Sequence, residues 1–218
     1  MASDSAEIII EAPTLKFERR AIKRGATIVA GVDEAGRGPL AGPVVVSAVV
    51  LNHKKVPKGL DDSKKLTAEE REDLYQKIMG SAHAVSVVMA PPKIIERLNI
   101  LWATMWAMRQ AVINLSLTPD HVLIDGNRSP KEMPCPTETI IGGDAKSVSI
   151  AAASIIAKVT RDRMCAVMDC EEPHFGFASH KGYSAPAHLD ALTTHGPGRH
   201  HRMDFAPCAE ALRLKSVA

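Results

Sequence analysis

From Thr27 onward the chain is organised by two kinds of apolar pattern. Thr27–Asp33 (TIVAGVD) and Val44–Leu51 (VVVSAVVL) are continuous β-branched runs separated by the Gly/Pro-rich turn GRGPLAGP. Runs without polar alternation predict central strands buried on both faces. Ala84–Met89 predicts a third strand. His121–Asp125 (HVLID) predicts a fourth, ending in a Gly126-Asn127 turn, and Thr137–Ile141 a fifth, ending in Gly142-Gly143-Asp144. Elsewhere the spacing becomes helical. Thr67-Ala-Glu-Glu70 has capping-box spacing and predicts a helix from Thr67 to about Met79. Pro91 and Pro92 open a further helical region, in which Leu101, Met105, Met108, Val112 and Leu115 form a core-facing stripe. Ser147 to about Met168 predicts a long helix, whose small-residue stretch IAAASIIA permits close packing on a sheet. The tail from Glu171 is loop-rich, with one helix around Pro186–Leu192. Three strands in hairpin succession, then crossover connections, predict an α/β fold with a mixed five-stranded sheet flanked by helices.

Composition narrows the classes without choosing one. Lys plus Arg number 27 and Asp plus Glu 25, so the formal charge is only +2. Bulk positive charge is therefore not the binding device, although a local basic rim beside a local acidic cluster remains compatible with nucleic acid. With 4 Phe, 2 Trp and 2 Tyr, the core must be mostly aliphatic. The longest nearly apolar stretch, Pro39–Leu51, is too short to span a bilayer. The acidic start MASDSAEIIIEA lacks the basic n-region of a secretory signal. Cys135, Cys165, Cys170 and Cys208 show no metal-binding spacing and read as free thiols. The expectation is a soluble, cytoplasmic protein. Residues 1–26 are mixed in charge and read as a loosely ordered extension ahead of one domain spanning 27–218.

Four acids share one local context. Asp33 and Glu34 come at the end of an apolar strand beside a glycine-rich turn; Asp125 and Asp144 each end another. Ligands of α/β sheets bind at the carboxyl ends of strands. An isolated Asp beside a glycine is usually only a turn, but a turn does not need two adjacent acids. If the strands are neighbours, the four carboxylates converge and raise one another's pKa values unless a cation joins them. Oxygen-only donors favour Mg²⁺ or Mn²⁺ over Zn²⁺. Consecutive strand residues point to opposite faces, so Asp33 and Glu34 are expected to share a site only if the strand breaks there. Gly36 and Gly38 supply the freedom for such a break.

GVDEAGRGPLAGPVV (Gly31–Val45), LDDSKKLT (Leu60–Thr67), VLIDGN (Val122–Asn127), SIAAASIIAKVTRDR (Ser149–Arg163) and FGFASHKGY (Phe175–Tyr183) resemble bacterial ribonuclease HII in order and approximate spacing. The resemblance covers roughly residues 27–210. It implies a ribonuclease H-like fold with a small helical C-terminal region, about 171–218, that contributes to substrate binding. It implies cleavage of the RNA strand of RNA/DNA hybrids and incision at single ribonucleotides in duplex DNA, as in ribonucleotide excision repair. Two-metal hydrolysis with Mn²⁺ or Mg²⁺, giving 3′-OH and 5′-phosphate ends, is implied too. By position, the catalytic and metal-binding acids are Asp33, Glu34, Asp125 and Asp144. The last departs from the family's Lys-Gly-Asp, because Gly142 stands where the Lys is usual.

The resemblance also implies that the Gly36-Arg37-Gly38 turn and Tyr183 read the ribonucleotide, and that Ser63, Lys64 and Lys65 lie in a phosphate-contacting loop. Lys158, Arg161 and Arg163 are candidates for the duplex backbone or for a solvated helix face. His180, His200 and His201 read as structural or substrate contacts. No clamp-binding motif stands out in EALRLKSVA, and a monomer is expected. Three rivals remain. Ribonuclease HIII carries a sizeable N-terminal substrate domain, for which about 26 leading residues are too few. A hybrid-binding module without cleavage would not need Asp33, Glu34 and Asp125 intact. A DNA-only two-metal nuclease or integrase would have no 2′-OH for the glycine turn and Tyr183 to read.

Overall fold

The computed structural model describes residues 12–215; the acidic start (residues 1–11) and the last three residues of the tail lie outside the described residues. The elements run α1 (Lys16–Lys23), β1 (Val29–Ala35), β2 (Val44–Val50), α2 (Ala68–Ser81), β3 (Ala84–Ala90), α3 (Pro92–Ile113), β4 (His121–Asp125) and β5 (Thr137–Ile140). They continue with α4 (Val148–Glu171), α5 (Phe177–His180), α6 (Pro186–His195) and α7 (Ala206–Lys215). The sheet has five strands in the order β3-β2-β1-β4-β5. β2 is antiparallel to both β1 and β3, while β4 is parallel to β1 and β5. This is the mixed sheet that the strand spacing predicts.

The centre of the sheet is covered on both faces, which is why its strands read as unbroken apolar runs. On one face Ala30, Val32, Val44, Val46 and Ile124 pack with Ala103, Ala107, Met108 and Ala111 of α3. On the other, Val49 joins Leu74 and Ile78 of α2 and Ala151, Ala152, Ile155 and Ile156 of α4. The alanines of α4 let the helix lie close on β1. α3 is two helices joined at Asn99 (φ 60°), whose Oδ1 accepts from the amides of Leu101 and Trp102 at 3.0 and 3.2 Å and starts the second. α2 begins with the capping box read from Thr67 and Glu70. Among the described residues no helix is long and apolar enough to cross a membrane, and all four cysteines are free.

Two expectations need correction. β1 does not break at Asp33-Glu34: it runs on to Ala35, which pairs with Val45. Lys16–Lys23 is not a loose segment. Its Glu18 is fully buried and accepts from Ser147 Oγ (2.6 Å) and the Ser149 amide (3.0 Å) at the start of α4. The first amides of a helix have no intrahelical partner and attract negative charge, so the acid docks α1 there. The residue spacing gives one tail helix, around Pro186–Leu192; α7 is a further one, within the helical C-terminal region that the resemblance implies, with Pro207 tolerated in its first turn.

Candidate active site

The acids are brought together at the carboxyl ends of β1 and β4. Val32 pairs with Ile124, so Asp125 lies level with Asp33 on the neighbouring strand. Asp33 is almost fully buried, and its Oδ1 accepts from the Glu34 amide at 2.7 Å. A cleft of about 330 Å³ is lined by Asp33, Glu34 and Asp125 together with Ser63, Lys64, Gly36–Gly38, Lys158 and Tyr183. Glu34 also lines a smaller recess on the α3 side, shared with Arg37, Asp125 and Met105. The unbroken strand therefore does send its two acids to opposite sides. They meet because β4 stops at Asp125 while β1 continues to Ala35, so space beyond the shorter strand joins the two faces.

Asp144 stands apart from the cleft wall. It is buried in a single 3₁₀ turn after β5, its Oδ1 accepts from the Ala145 amide (3.0 Å), and Lys64 Nζ donates to its Oδ2 at 3.4 Å. Gly143 ties this turn to β4 by donating its amide to Asp125 Oδ1 at 2.6 Å. A Cβ at that position would lie 2.6 Å from Ile150 Cδ1, the movable end of a side chain, and 3.3 Å from Asp125 Oδ1. Gly142, where the family's Lys is usual, adopts φ +62°, and a Cβ there would meet nothing within 4 Å. Its backbone conformation is one that glycine adopts without strain.

Burial sets the charge balance. It raises the Asp33 carboxyl well above the usual range, and the charges of Glu34, Asp125 and Asp144 push the same way. Burial raises Glu34 as well, opposed by Arg37, whose guanidinium donates to it at 3.2 Å. Asp144 is raised by burial and then by Asp62 and Asp125, with Lys64 opposing. Burial works against the charge of Lys64, but Asp144, Asp62 and Asp33 outweigh it and raise its pKa. An oxygen-only set that holds its own charge with such difficulty suits a hard divalent cation. The carboxylates are turned toward internal partners, namely Arg37, the Gly143 amide and Lys64. Among the described residues, no three His, Cys, Asp or Glu side chains form a group placed to hold one ion. The donor chemistry fits a cation.

The glycine turn is held from behind by two arginines. Arg161 is 1% exposed and donates to the carbonyls of Pro43 (3.3 Å), Ala41 (3.3 Å) and Lys181 (2.9 Å). It is thus neither on a solvated helix face nor an exposed contact for the duplex backbone. Arg202, fully buried, donates to the carbonyls of Gly36 (2.6 Å), Arg37 (2.9 Å) and Gly42 (3.0 Å). Burial, with Arg161 nearby, lowers Arg202 to about 9, still charged at neutral pH. Gly36 has φ +95°, and a Cβ there would lie 2.0 Å from Arg161 Nε, so the turn closes onto the guanidinium only without a side chain. Tyr183, half exposed, stands beside Gly38 with its ring 5.9 Å from the Arg161 guanidinium.

The remaining candidates divide clearly. Ser63 is buried against Ser154 (2.9 Å), while Lys64 reaches Asp144 from the cleft rim. Lys65 pairs with Asp61 (3.0 Å), and Lys158, at the cleft, with Asp162 (2.7 Å). Arg163 pairs with Glu72 and lies over the Tyr75 ring, away from the cleft lining. None of the three histidines lines the cleft. His180 bonds the Phe175 carbonyl, His200 pairs with Glu171, and His201 bonds His188.

The sequence profile described as Ribonuclease HII matches residues 30–208, a span that includes every one of these positions except those of α1. The chain belongs to the ribonuclease HII family. A ribonuclease HII of Bradyrhizobium diazoefficiens is 57% identical over 200 residues, covering 91% of this chain and 75% of that one. Among solved structures, the ribonuclease H2 of Pyrococcus horikoshii OT3 superposes with a TM-score of 0.76 at 28% identity, over 88% of this chain and 100% of the other. Bst-RNase HIII in complex with Mn²⁺ shares the fold, with a TM-score of 0.64 at 19% identity over 91% and 73%. Membership of that family makes this chain a hydrolase, an endoribonuclease acting on RNA/DNA hybrids.

Proposed function

We propose that this chain also incises duplex DNA at single embedded ribonucleotides, leaving 3′-OH and 5′-phosphate ends, with Asp33, Glu34, Asp125 and Asp144 as its metal-holding acids. The observation that carries this reading is one cleft that unites three of those acids with a carbonyl-clamped glycine turn and an exposed tyrosine. Two divalent ions, Mg²⁺ or Mn²⁺, would supply an activated water and neutralise charge on the phosphate and leaving oxygen; a ribonuclease HIII of like fold is described with Mn²⁺. The chain's own groups do the rest. The Gly36–Gly38 main chain offers donors and acceptors to a 2′-OH, which is itself both. Arg161 and Arg202 keep those groups in place, so little order has to be gained on binding. Lys64, on the cleft rim, is the counter-charge proposed for a phosphate oxygen. The test is nicking of a duplex carrying one ribonucleotide, with Mg²⁺ and Mn²⁺ compared and an all-DNA duplex alongside. Cutting of the all-DNA duplex at equal rate would refute the reading.

Two residues test its parts. Asp144→Asn removes a charge at the acid whose approach departs from the family pattern. Activity in Mg²⁺ is expected to fall about ten- to a hundred-fold, with partial recovery in high Mn²⁺. Full activity in Mg²⁺ would mean that Gly143–Ala145 is only a turn. Tyr183→Ala removes the exposed ring beside Gly38. An aromatic face against a deoxyribose leaves no room for a 2′-OH on the 3′ nucleotide, while the phenol can bond the preceding ribose. Losing such a stack costs about 1–3 kcal/mol, roughly ten- to a hundred-fold in rate. Cleavage at a lone ribonucleotide should therefore weaken more than cleavage within a long hybrid, as rates on the two substrates will show. Equal losses on both would demote Tyr183 to a general contact.

A further inference from the structure

Behind Tyr183 lies a group of histidines that the reaction does not use. His201 is 1% exposed and His188 is fully buried. Their rings are enclosed by Phe175 and Phe177, with centroids 4.5 Å (Phe175–His201) and 5.5 Å (Phe177–His188) apart. The Gly198 amide lies 2.9 Å from His201 Nδ1, His201 Nε2 lies 2.9 Å from His188 Nε2, and His188 Nδ1 lies 2.8 Å from the Tyr183 carbonyl.

The two ends of this chain fix every proton in it. A backbone amide can only donate, so His201 Nδ1 accepts and its proton sits on Nε2. That proton is given to His188 Nε2, which leaves the His188 proton on Nδ1, where a carbonyl can only accept it. Both imidazoles are thereby neutral, each in one tautomer. His180 follows the same rule. Its Nδ1 accepts from the Gly182 amide (3.2 Å), so Nε2 donates to the Phe175 carbonyl (2.7 Å), and the ring stacks on His188 at 4.4 Å. The Tyr183 amide is held in turn by the His180 carbonyl (3.0 Å).

We propose that His188 and His201 are positioning residues, a neutral relay that holds Tyr183 against the cleft and lets go of it when either ring is protonated. A proton on His201 Nδ1 would face the Gly198 amide. A proton on His188 Nε2 would face the His201 proton. No reorientation satisfies both ends. The inference rests on the reading of Tyr183 as the sugar contact.

The surroundings favour the neutral form. His180 of α5, His174 before Phe175, His195 of α6, and Arg199, His200 and Arg202 of the following loop supply cations or potential cations. Glu171 and Glu172 at the end of α4 are engaged elsewhere, Glu171 with Arg199 (2.6 Å) and His200 (2.7 Å), Glu172 with the Arg199 amide (3.3 Å). Burial, reinforced by His188, lowers His201 to about 4, and burial with His180 lowers His188. The sign follows: the relay stays intact through and below the free imidazole range and is lost as the pH falls through the lowered His201 value of about 4.

The readout is the ratio of cleavage rate at a lone ribonucleotide to that within a long hybrid, from pH 7.5 to 3.5, for the wild type, Tyr183→Ala, His201→Phe and His188→Asn. The ratio cancels effects of pH on the common chemistry. In the wild type it should fall with pH toward the Tyr183→Ala value, roughly ten-fold lower. Tyr183→Ala should be low and flat. Both histidine variants should already be low at pH 7.5 while still cleaving the hybrid. A flat wild-type ratio overturns the relay, as does a fall that Tyr183→Ala shares. If the histidine variants do not fold, the wild-type and Tyr183→Ala profiles alone decide. If Tyr183→Ala leaves the ratio at the wild-type value, it is the reading of the tyrosine that fails.

Discussion

Asp33→Asn and Asp125→Asn are each expected to abolish cleavage while the fold survives. Each substitution keeps the hydrogen bond now made. The carboxamide oxygen that replaces a carboxylate oxygen can still accept from the Glu34 amide in the first variant and from the Gly143 amide in the second, because in both contacts a single Oδ1 is the acceptor. What is lost is one negative charge from an oxygen-only set, and a hard cation binds such a set largely through charge. Losing a preorganised electrostatic stabiliser of this kind costs roughly 10³-fold or more in rate. The same substitution should act in the opposite direction on stability. The Asp33 carboxyl is raised by burial and by three neighbouring acids. Its ionised form is therefore disfavoured in the folded chain, and that penalty is present above its folded pKa and relieved as pH falls through it. At neutral pH with chelator, Asp33→Asn should melt at a higher temperature than the wild type. Cleavage near the wild-type rate by either variant would remove it from the site. A lower Tm for Asp33→Asn in chelator would show that the carboxylate is satisfied by contacts rather than strained by them.

How much of this was legible in the chain depends on what each residue binds. The sheet, the Thr67 capping box and the strand-end placement of Asp33, Glu34 and Asp125 are carried by patterns of side chains, which a sequence displays directly. Arg161 and Arg202 were not legible as clamps. Their partners are main-chain carbonyls of Gly36, Arg37, Ala41, Gly42, Pro43 and Lys181, and a carbonyl leaves no mark on sequence. The available signal was indirect: a turn dense in glycine and proline has carbonyls that no strand or helix satisfies, and buried carbonyls need donors. Glu18 was hidden for a similar reason. It sits among Lys16, Arg19 and Arg20 like any solvated charge, and only the fold reveals that it caps α4. The expected break at Asp33-Glu34 failed because the faces are joined by the shortness of β4, a relation between two strands rather than a property of either.

Gly31→Ala is expected to be the most damaging single substitution for folding. Gly31 lies two residues before Asp33 and so projects to the same face of β1. That face is where α4 lies, and a Cβ on Gly31 would be 2.2 Å from the Ser149 carbonyl carbon and 2.5 Å from the Ile150 amide nitrogen. Both atoms are backbone near the start of α4, where Ser147 caps the helix and Glu18 holds it, so neither can move aside alone. Strand and helix would have to part by more than an ångström, opening contacts along the face that buries Asp33. Overpacking a tight core costs typically about 1–3 kcal/mol, and more when backbone has to move; this site belongs at or beyond the upper end. A chemical-denaturation midpoint close to that of the wild type would show that α4 can slide on the sheet. The functional consequence should follow the structural one. Where α4 is displaced, Ser154 and Lys158 leave the cleft and Asp33 gains water. Its carboxyl then ionises more easily, and residual cleavage by any folded fraction should fall below what the loss of folded protein alone explains, as activity normalised to the folded fraction will report.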